Sequence, residues 1–408
     1  VATIVTDAGK ANIEAFLGYG FEQAAVHNAV VGITRRYELY RWDVWGPRHA
    51  SPEAAAAAAA HRVLLTYFPA SRARLDAQLT ESLERVPDGR AERDGVRYGQ
   101  RAADRIVELR ADDGRGADVP YDVPPAPGVW RPTPPAFAPF FAPWLARVDP
   151  LVLRSPRQLR PGGPPALTSA RYTAEFAEVR DHGARTGSLR TPEQTETALF
   201  FSDTAIAQFQ AALRDLAARR GMDISDSARL FAAVDTSLAD ASIVAWDAKL
   251  RYALWRPVTA IALADQDGNP ATAPVPGWEP LIPTPPYPDY TSGLTSLVGA
   301  LSRSVSRLLG GGRVDLGITS VAAGPPGAPL TRHYERASGL NGMRSTPACG
   351  RASTSAPPTW SATPWAPGSP TGRSTTTSGR SEGTAEPVRS TPVPPPVWIG
   401  PARVGLFP

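Results

Sequence analysis

Two stretches of this 408-residue chain hold side chains whose types and spacing can do chemistry. The first is Lys249-Leu-Arg-Tyr-Ala-Leu-Trp-Arg256-Pro257, with a Lys and an Arg seven positions apart. Seven residues are about two helical turns, so the spacing predicts both cations on one helix face. The second is Pro285-Pro-Tyr-Pro-Asp-Tyr290-Thr-Ser292-Gly293-Leu294-Thr-Ser296, which runs into the apolar stretch 297–309. Here a Pro-stiffened loop ends in Ser-Gly where a helix is expected to begin. Free backbone N–H groups and the positive end of the helix dipole meet at such a point, which suits a tetrahedral oxyanion. Lys249 offers a point charge and Arg256 a planar fork able to bond two oxygens. Ser292 adds a hydroxyl, and Gly293 an N–H that a ligand can approach closely. On its own the Lys/Arg pair reads as two solvated charges on a helix. The Ser-Gly helix start, following in order, favours an anion cradle.

The elements that must position these groups are helical. Apolar residues recur at helical spacing over 6–33 (Ile13, Phe16, Leu17, Phe21, Ala24, Val30), and Ser51-Pro52-Glu53 opens an Ala-rich helix reaching Tyr67. Two amphipathic helices are predicted at 71–86 and 94–109, split by the Pro87-Asp-Gly turn, and four more at 169–182, 191–201, 205–220 and 225–248. With little strand-type alternation, the expectation is an all-α helical bundle with the site between helices. The 44 Pro and 35 Gly gather in 119–143, in 270–288 and beyond 324, so the bundle carries long Pro-rich loops. Expected regions are an N-terminal helical part (1–117), a Pro/aromatic-rich loop region (118–165), a helical anion-binding core (166–341) and a low-complexity, disordered tail (342–408). The aromatic loop around Trp130, Phe137, Phe140, Phe141 and Trp144 reads first as a cover over the core and second as a substrate mouth.

Composition excludes several functions. A net charge of +4 is small for this length and no basic stripe interleaves with aromatics, so nucleic acid is not an expected partner. No apolar run is long enough to span a bilayer. The single Cys349 excludes an intrachain disulfide. His27, His49, His61, His182 and His333 form no metal-type pair and read as packing or surface residues; no metal ligands are predicted. Asp289 is expected to shape its loop by side-chain hydrogen bonds rather than to act as an acid or base.

Lys-x6-Arg-Pro followed by Thr-Ser-Gly resembles the superfamily of type 2 phosphatidic acid phosphatases (PAP2) and vanadium-dependent haloperoxidases. The run from Asp267-Gly-Asn-Pro through Pro276-Gly-Trp278-Glu-Pro to Tyr290 looks like bacterial haloperoxidase homologues in particular. The resemblance implies a PAP2/haloperoxidase-type bundle that holds vanadate, or phosphate as its analogue, at Lys249, Arg256, Ser292 and Gly293. It implies small-molecule substrates (peroxide with a halide, or a phosphate ester) and an exported protein, and the absence of a Met or signal peptide at Val1 fits processing or truncation. Two departures bear on activity. The family's Ser-Gly-His His, an acid/base group, falls on Leu294, which cannot transfer a proton; such assistance is typically worth a factor of about 10² to 10⁴. The family's third motif, Arg-x5-His, is not found, and His333 has Gly327 six residues before it. The readings are therefore a haloperoxidase-like protein, a PAP2-type acid phosphatase, or a catalytically degenerate anion-binding member of the same family.

Beyond residue 341 the composition turns to Ser, Thr, Pro, Gly and Arg, which cannot bury a core. This is the pattern of a reading-frame shift. If each shifted codon takes the third base of one codon and the first two of the next, Ala348 can become Arg and Thr354 can become His. The shifted chain then carries Arg-x5-His at the family's spacing, with apolar residues around it. Leu294 is itself one base from a His codon.

Overall fold

The computed structural model describes residues 12–324 and 328–342. The described residues lie in a single compact unit, and the expectations for 343–408 fall outside them. In chain order the helices are α1 (Asn12–Thr34), α2 (Pro52–Tyr67), α3 (Arg72–Leu83), α4 (Arg90–Leu109), α5 (Ala170–Gly183), α6 (Pro192–Phe200), α7 (Ala205–Arg219), α8 (Ile224–Tyr252), α9 (Pro257–Ala262) and α10 (Gly293–Leu309). A hairpin of β1 (Arg313–Ser320) and β2 (Leu330–Arg336) follows, then α11 (Ala337–Gly342). The fold is the expected helical one.

Local sequence accounts for the helix ends. Ser51 accepts the Ala54 N–H with Pro52 in the first turn of α2, and Thr191 and Gln194 form a reciprocal capping box on α6. Asp223 caps α8 through the Asp226 N–H. Each satisfies a donor that the helix itself leaves unpaired. The Ala run of α2 lets α4 come close: a Cβ on Gly99 would sit 2.1 Å from the Ala55 carbonyl oxygen, so that crossing requires glycine.

Helix α8 runs through the middle. One face packs with α7, α10 and β1 around Phe209, Leu213, Leu238, Leu301 and Val314. The other packs with α1, α2 and α4 around Phe21, Val63, Ile106 and Ile243. A smaller cluster of Tyr172, Phe176, Trp255 and Ile261 lies between α5 and α9. The aromatic loop is chiefly a cover: Trp130 and Phe140 are buried in the second cluster, while Phe137 is exposed.

Two details depart from the reading of the sequence. The first is a hairpin added to the expected helical fold: β1 and β2 pair antiparallel, with Leu316 opposite Tyr334 and Ile318 opposite Arg332. Val314, Leu316 and Ile318 alternate inward, a period-two signal carried by a short run behind Gly310-Gly-Gly. The second is the shared helix face of Lys249 and Arg256. Helix α8 ends at Tyr252, Ala253 takes a left-handed conformation (φ 45°), and Arg256 stands at the start of α9. The two cations converge because the chain turns, not through helical periodicity.

One buried pair predicts a pH dependence. Asp235 on α8 is fully buried, and its Oδ1 accepts a 2.5 Å hydrogen bond from Gln210 Nε2 on α7. Asp235 Oδ2 and the Glu22 Oε2 of α1 are buried without a hydrogen-bond partner. Burial raises both carboxyl groups, and for Asp235 the Glu22 charge raises it further. The folded state therefore holds protons that the unfolded chain has released above its carboxylate range of about 4. Stability must then fall as pH rises from that range through the raised folded values. Burial also pushes the His27 ring down to about 4, which adds stability as pH rises toward 6.5 and opposes this fall. The difference between variant and wild type therefore carries the test: we expect the melting temperature of Asp235→Asn to gain on that of wild type between pH 5 and pH 8, and parallel profiles would contradict the assignment.

Candidate functional site

The site is built where the end of α8, the turn into α9 and the loop before α10 meet. Lys249, almost wholly buried, donates from Nζ to the carbonyl oxygens of Pro288 (2.8 Å) and Asp289 (3.0 Å). Arg256, also buried, donates from Nε to the Tyr287 carbonyl (2.6 Å) and from Nη1 to Asp289 Oδ1 (2.8 Å). Both cations thus grip three consecutive residues of one Pro-rich loop. The Tyr287 ring lies against both, with its centroid 4.8 Å from Lys249 Nζ and 4.7 Å from Arg256 Cζ. A ring face attracts cations, so this packing orients two like charges that would otherwise repel. Trp246, one helical turn before Lys249, packs against Tyr287 with the rings tilted by 52° and their centroids 5.0 Å apart.

The backbone around this grip is pinned from outside. Trp130 N–H donates to the Ala253 carbonyl and Trp255 N–H to that of Gly128, so the aromatic loop fixes the left-handed turn between the cations. The Phe141 N–H bonds the Pro286 carbonyl, while Trp246 Nε1 donates to the Phe141 carbonyl. Asp289 N–H in turn bonds the Leu254 carbonyl. The expected loop-shaping part of Asp289 is seen here, in the form of a buried ion pair with Arg256. Asp247, two residues before Lys249, is held by both Arg160 Nε and Nη2.

Three residues after Asp289, Ser292 starts α10. Its Oγ accepts the Thr295 N–H (3.4 Å), and its carbonyl accepts from Ser296 N and Oγ. Gly293 and Leu294 follow as the first two residues of the helix, where N–H groups have no intrahelical acceptor. A Cβ on Gly293 would meet only the Trp246 ring, at 3.7 Å. Protein packing therefore does not demand glycine at this position, which leaves open space beside Trp246. Leu294 turns its side chain toward the apolar cluster of α7, α8 and α10.

One charged donor of the grip lacks a partner. Arg256 Nη2 is buried and has no hydrogen-bond partner. An unpaired buried N–H of a charged group is costly, on the order of 1–3 kcal/mol or more, and such a group calls for an acceptor. Sequence reasoning found Lys249, Arg256, Ser292, Gly293 and Leu294, and the structure brings their segments together. It missed the aromatic brace of Trp246 and Tyr287, although an aromatic one turn from Lys249 and another beside Asp289 were visible signals. Of the histidines, His27 is buried and bonded to the Glu38 carbonyl, with burial pushing its ring down to about 4. His49 and His61 pair with Asp94 and Asp76. His182 lies at the end of α5 and His333 on β2.

The chain is similar to several known proteins. The description "VCPO second helical-bundle domain" matches residues 229–341, the span that holds every residue of the grip. Vanadium chloroperoxidase of Curvularia inaequalis is 33% identical over 96 residues, which are 21% of this chain and 15% of that protein. This chain thus matches only a small part of the length of that curated relative. Among solved structures, a bacterial vanadium-dependent iodoperoxidase superposes with a TM-score of 0.70 at 23% identity, covering 86% of this chain and 88% of the other. A bacterial vanadium-dependent chloroperoxidase in its apo form gives a TM-score of 0.63 at 18% identity, covering 83% and 87%.

Proposed function

We propose that this vanadium haloperoxidase homologue, which carries the family's second helical-bundle domain on the haloperoxidase fold, binds a tetrahedral oxyanion, phosphate or vanadate, at Lys249, Arg256, Ser292 and Gly293. The observation that carries the reading is the buried, unpartnered Nη2 of Arg256 beside the start of α10. An anion oxygen there would complete the guanidinium fork, whose other two nitrogens already bond the loop. The Ser292 hydroxyl proton and the N–H groups of Gly293 and Leu294 supply further donors, aided by the helix dipole. Lys249 adds positive charge beside the Arg256–Asp289 pair.

These residues fit the oxygens of such an anion but not the acid/base half of the chemistry. Vanadate, when bound, supplies activation of peroxide toward a halide. This chain's part is to hold the anion, neutralise its charge and exclude water through the Trp246–Tyr287 brace. At the helix start, where a proton donor is required, Leu294 packs into the core instead. The reading is therefore an oxyanion-binding family member without turnover.

The test is a pair of assays beside a binding measurement. Halide oxidation with added vanadate and peroxide, and hydrolysis of a phosphate ester, should both stay at background while inorganic phosphate binds. Leu294→His should bring no gain, because the Arg-x5-His motif is not in the chain as written. A gain of 10²-fold or more from that one change would reveal a catalytic His elsewhere and sink the no-turnover reading. The frame-shift reading of the tail is decided by the gene: the shifted frame must encode Arg-x5-His at positions 348 and 354.

A further inference from the structure

A short run, Arg160-Pro161-Gly162-Gly163, follows the 3-10 turn at Pro156–Leu159 and bridges the end of α8 to the loop before α10. Three consecutive residues of it are tied down. Arg160 donates from Nε and Nη2 to the two carboxylate oxygens of Asp247 on α8. The Pro161 carbonyl accepts the hydroxyl of Tyr252, the last residue of α8, at 2.8 Å. The Gly162 carbonyl accepts the hydroxyl of Tyr290, two residues before Ser292, at 2.6 Å. The two phenol rings meet edge to face with centroids 5.6 Å apart. A Cβ on Gly163 would stand 3.4 Å from the Tyr252 ring, so the run lies against that ring.

The run itself does not need these bonds. Gly162 and Gly163 are exposed, and water can serve their carbonyls. Tyr290 is different: it is only 2% exposed, and its hydroxyl gives its proton to Gly162. Lys249 and Arg256 hold residues 287–289 of the loop, and the Gly162 bond carries the hold one residue further toward Ser292. We propose that residues 160–163 are a positioning strap for the grip and that Tyr290 is its positioning residue. The strap fixes the start of α10, with the Ser292 hydroxyl and the Gly293 N–H, relative to the end of α8. Its effect on anion affinity rests on the oxyanion reading above; the tie between the two helices does not.

Amide hydrogen exchange of Thr295 and Ser296 in the phosphate-free full chain, with a phosphate titration beside it, tests this. Both amides bond Ser292, through Oγ and the carbonyl respectively, so their exchange reports the start of α10. The proteins are wild type, Tyr252→Phe, Tyr290→Phe and the double variant; each substitution keeps the ring and removes only the hydroxyl. Expected in Tyr290→Phe is faster exchange of both amides and phosphate affinity lowered roughly 3- to 10-fold, about what one net hydrogen bond corresponds to. Tyr252→Phe, whose hydroxyl bonds neither amide, should also speed their exchange, by less because Arg160 still holds Asp247. Added to Tyr290→Phe it should change nothing further, since a strap cut at one end no longer transmits a cut at the other. Exchange that Tyr252→Phe leaves at the wild-type rate, or two effects that simply add, would overturn the strap. A wild type that binds no phosphate would overturn the oxyanion reading instead, and the exchange rates would still decide the strap.

Discussion

Arg256→Ala should weaken inorganic phosphate binding by roughly 10- to 100-fold, and more than Lys249→Ala does. A charge-assisted hydrogen bond contributes about 1.5–3 kcal/mol, and Arg256 supplies a fork where Lys249 supplies a point charge. The same substitution should destabilise the fold by about 3–5 kcal/mol, because Asp289 would be left as a buried, unpaired carboxylate. These two losses can be separated. Asp289→Ala in the Arg256→Ala background removes the stranded charge and should restore much of the stability without restoring binding. Denaturant unfolding with phosphate titration on the four proteins of this cycle is the measurement. Equal and negligible effects of Arg256→Ala and Lys249→Ala on phosphate affinity would eliminate the grip as a binding site.

Asp240→Ala is expected to be among the most damaging single changes outside the site, by about 3–5 kcal/mol. Asp240 lies in the middle of α8, fully buried, and its carboxylate accepts the backbone N–H groups of Leu151 (2.6 Å), Val152 (2.9 Å) and Leu153 (2.8 Å). Burial pushes its carboxyl up to about 6 against the downward pull of these three bonds. Alanine would leave three donors without an acceptor, each costing about 1–3 kcal/mol where water cannot replace it. Asp240→Asn keeps a carbonyl acceptor and should cost less. Thermal or urea unfolding of both variants checks the order; an Ala variant within about 0.5 kcal/mol of wild type would show that the segment is held by other means.

Much of this could be read from the residues. Ser51-Pro52, Thr191-Pro-Glu and Ser292-Gly293 mark helix starts because their caps act locally, within one turn. The set proposed to bind an anion was visible for the same reason, since a Ser-Gly helix start and a Lys-x6-Arg-Pro run are local patterns. What was hidden depends on tertiary contacts. The left-handed Ala253 has no sequence mark of the kind a glycine would give, so periodicity carried the helix too far and placed Arg256 on it. It is the aromatic loop, more than a hundred residues earlier, that fixes this turn through Gly128 and Trp130. The hairpin was missed although Val314, Leu316 and Ile318 alternate, because three inward residues between glycines and a loop make a weak signal. Asp240 gave no signal at all: a lone acid in an apolar helix does not announce that three distant N–H groups will need it.

The central claim is that the end of α8 and the start of α10 together hold a tetrahedral oxyanion, and orthovanadate binding followed by vanadium-51 NMR tests it most directly. The account predicts one bound vanadate per chain, displaced one for one by inorganic phosphate, with affinity reduced at least tenfold in Arg256→Ala. Vanadate that does not bind, or that binds wild type and Arg256→Ala alike, would contradict it.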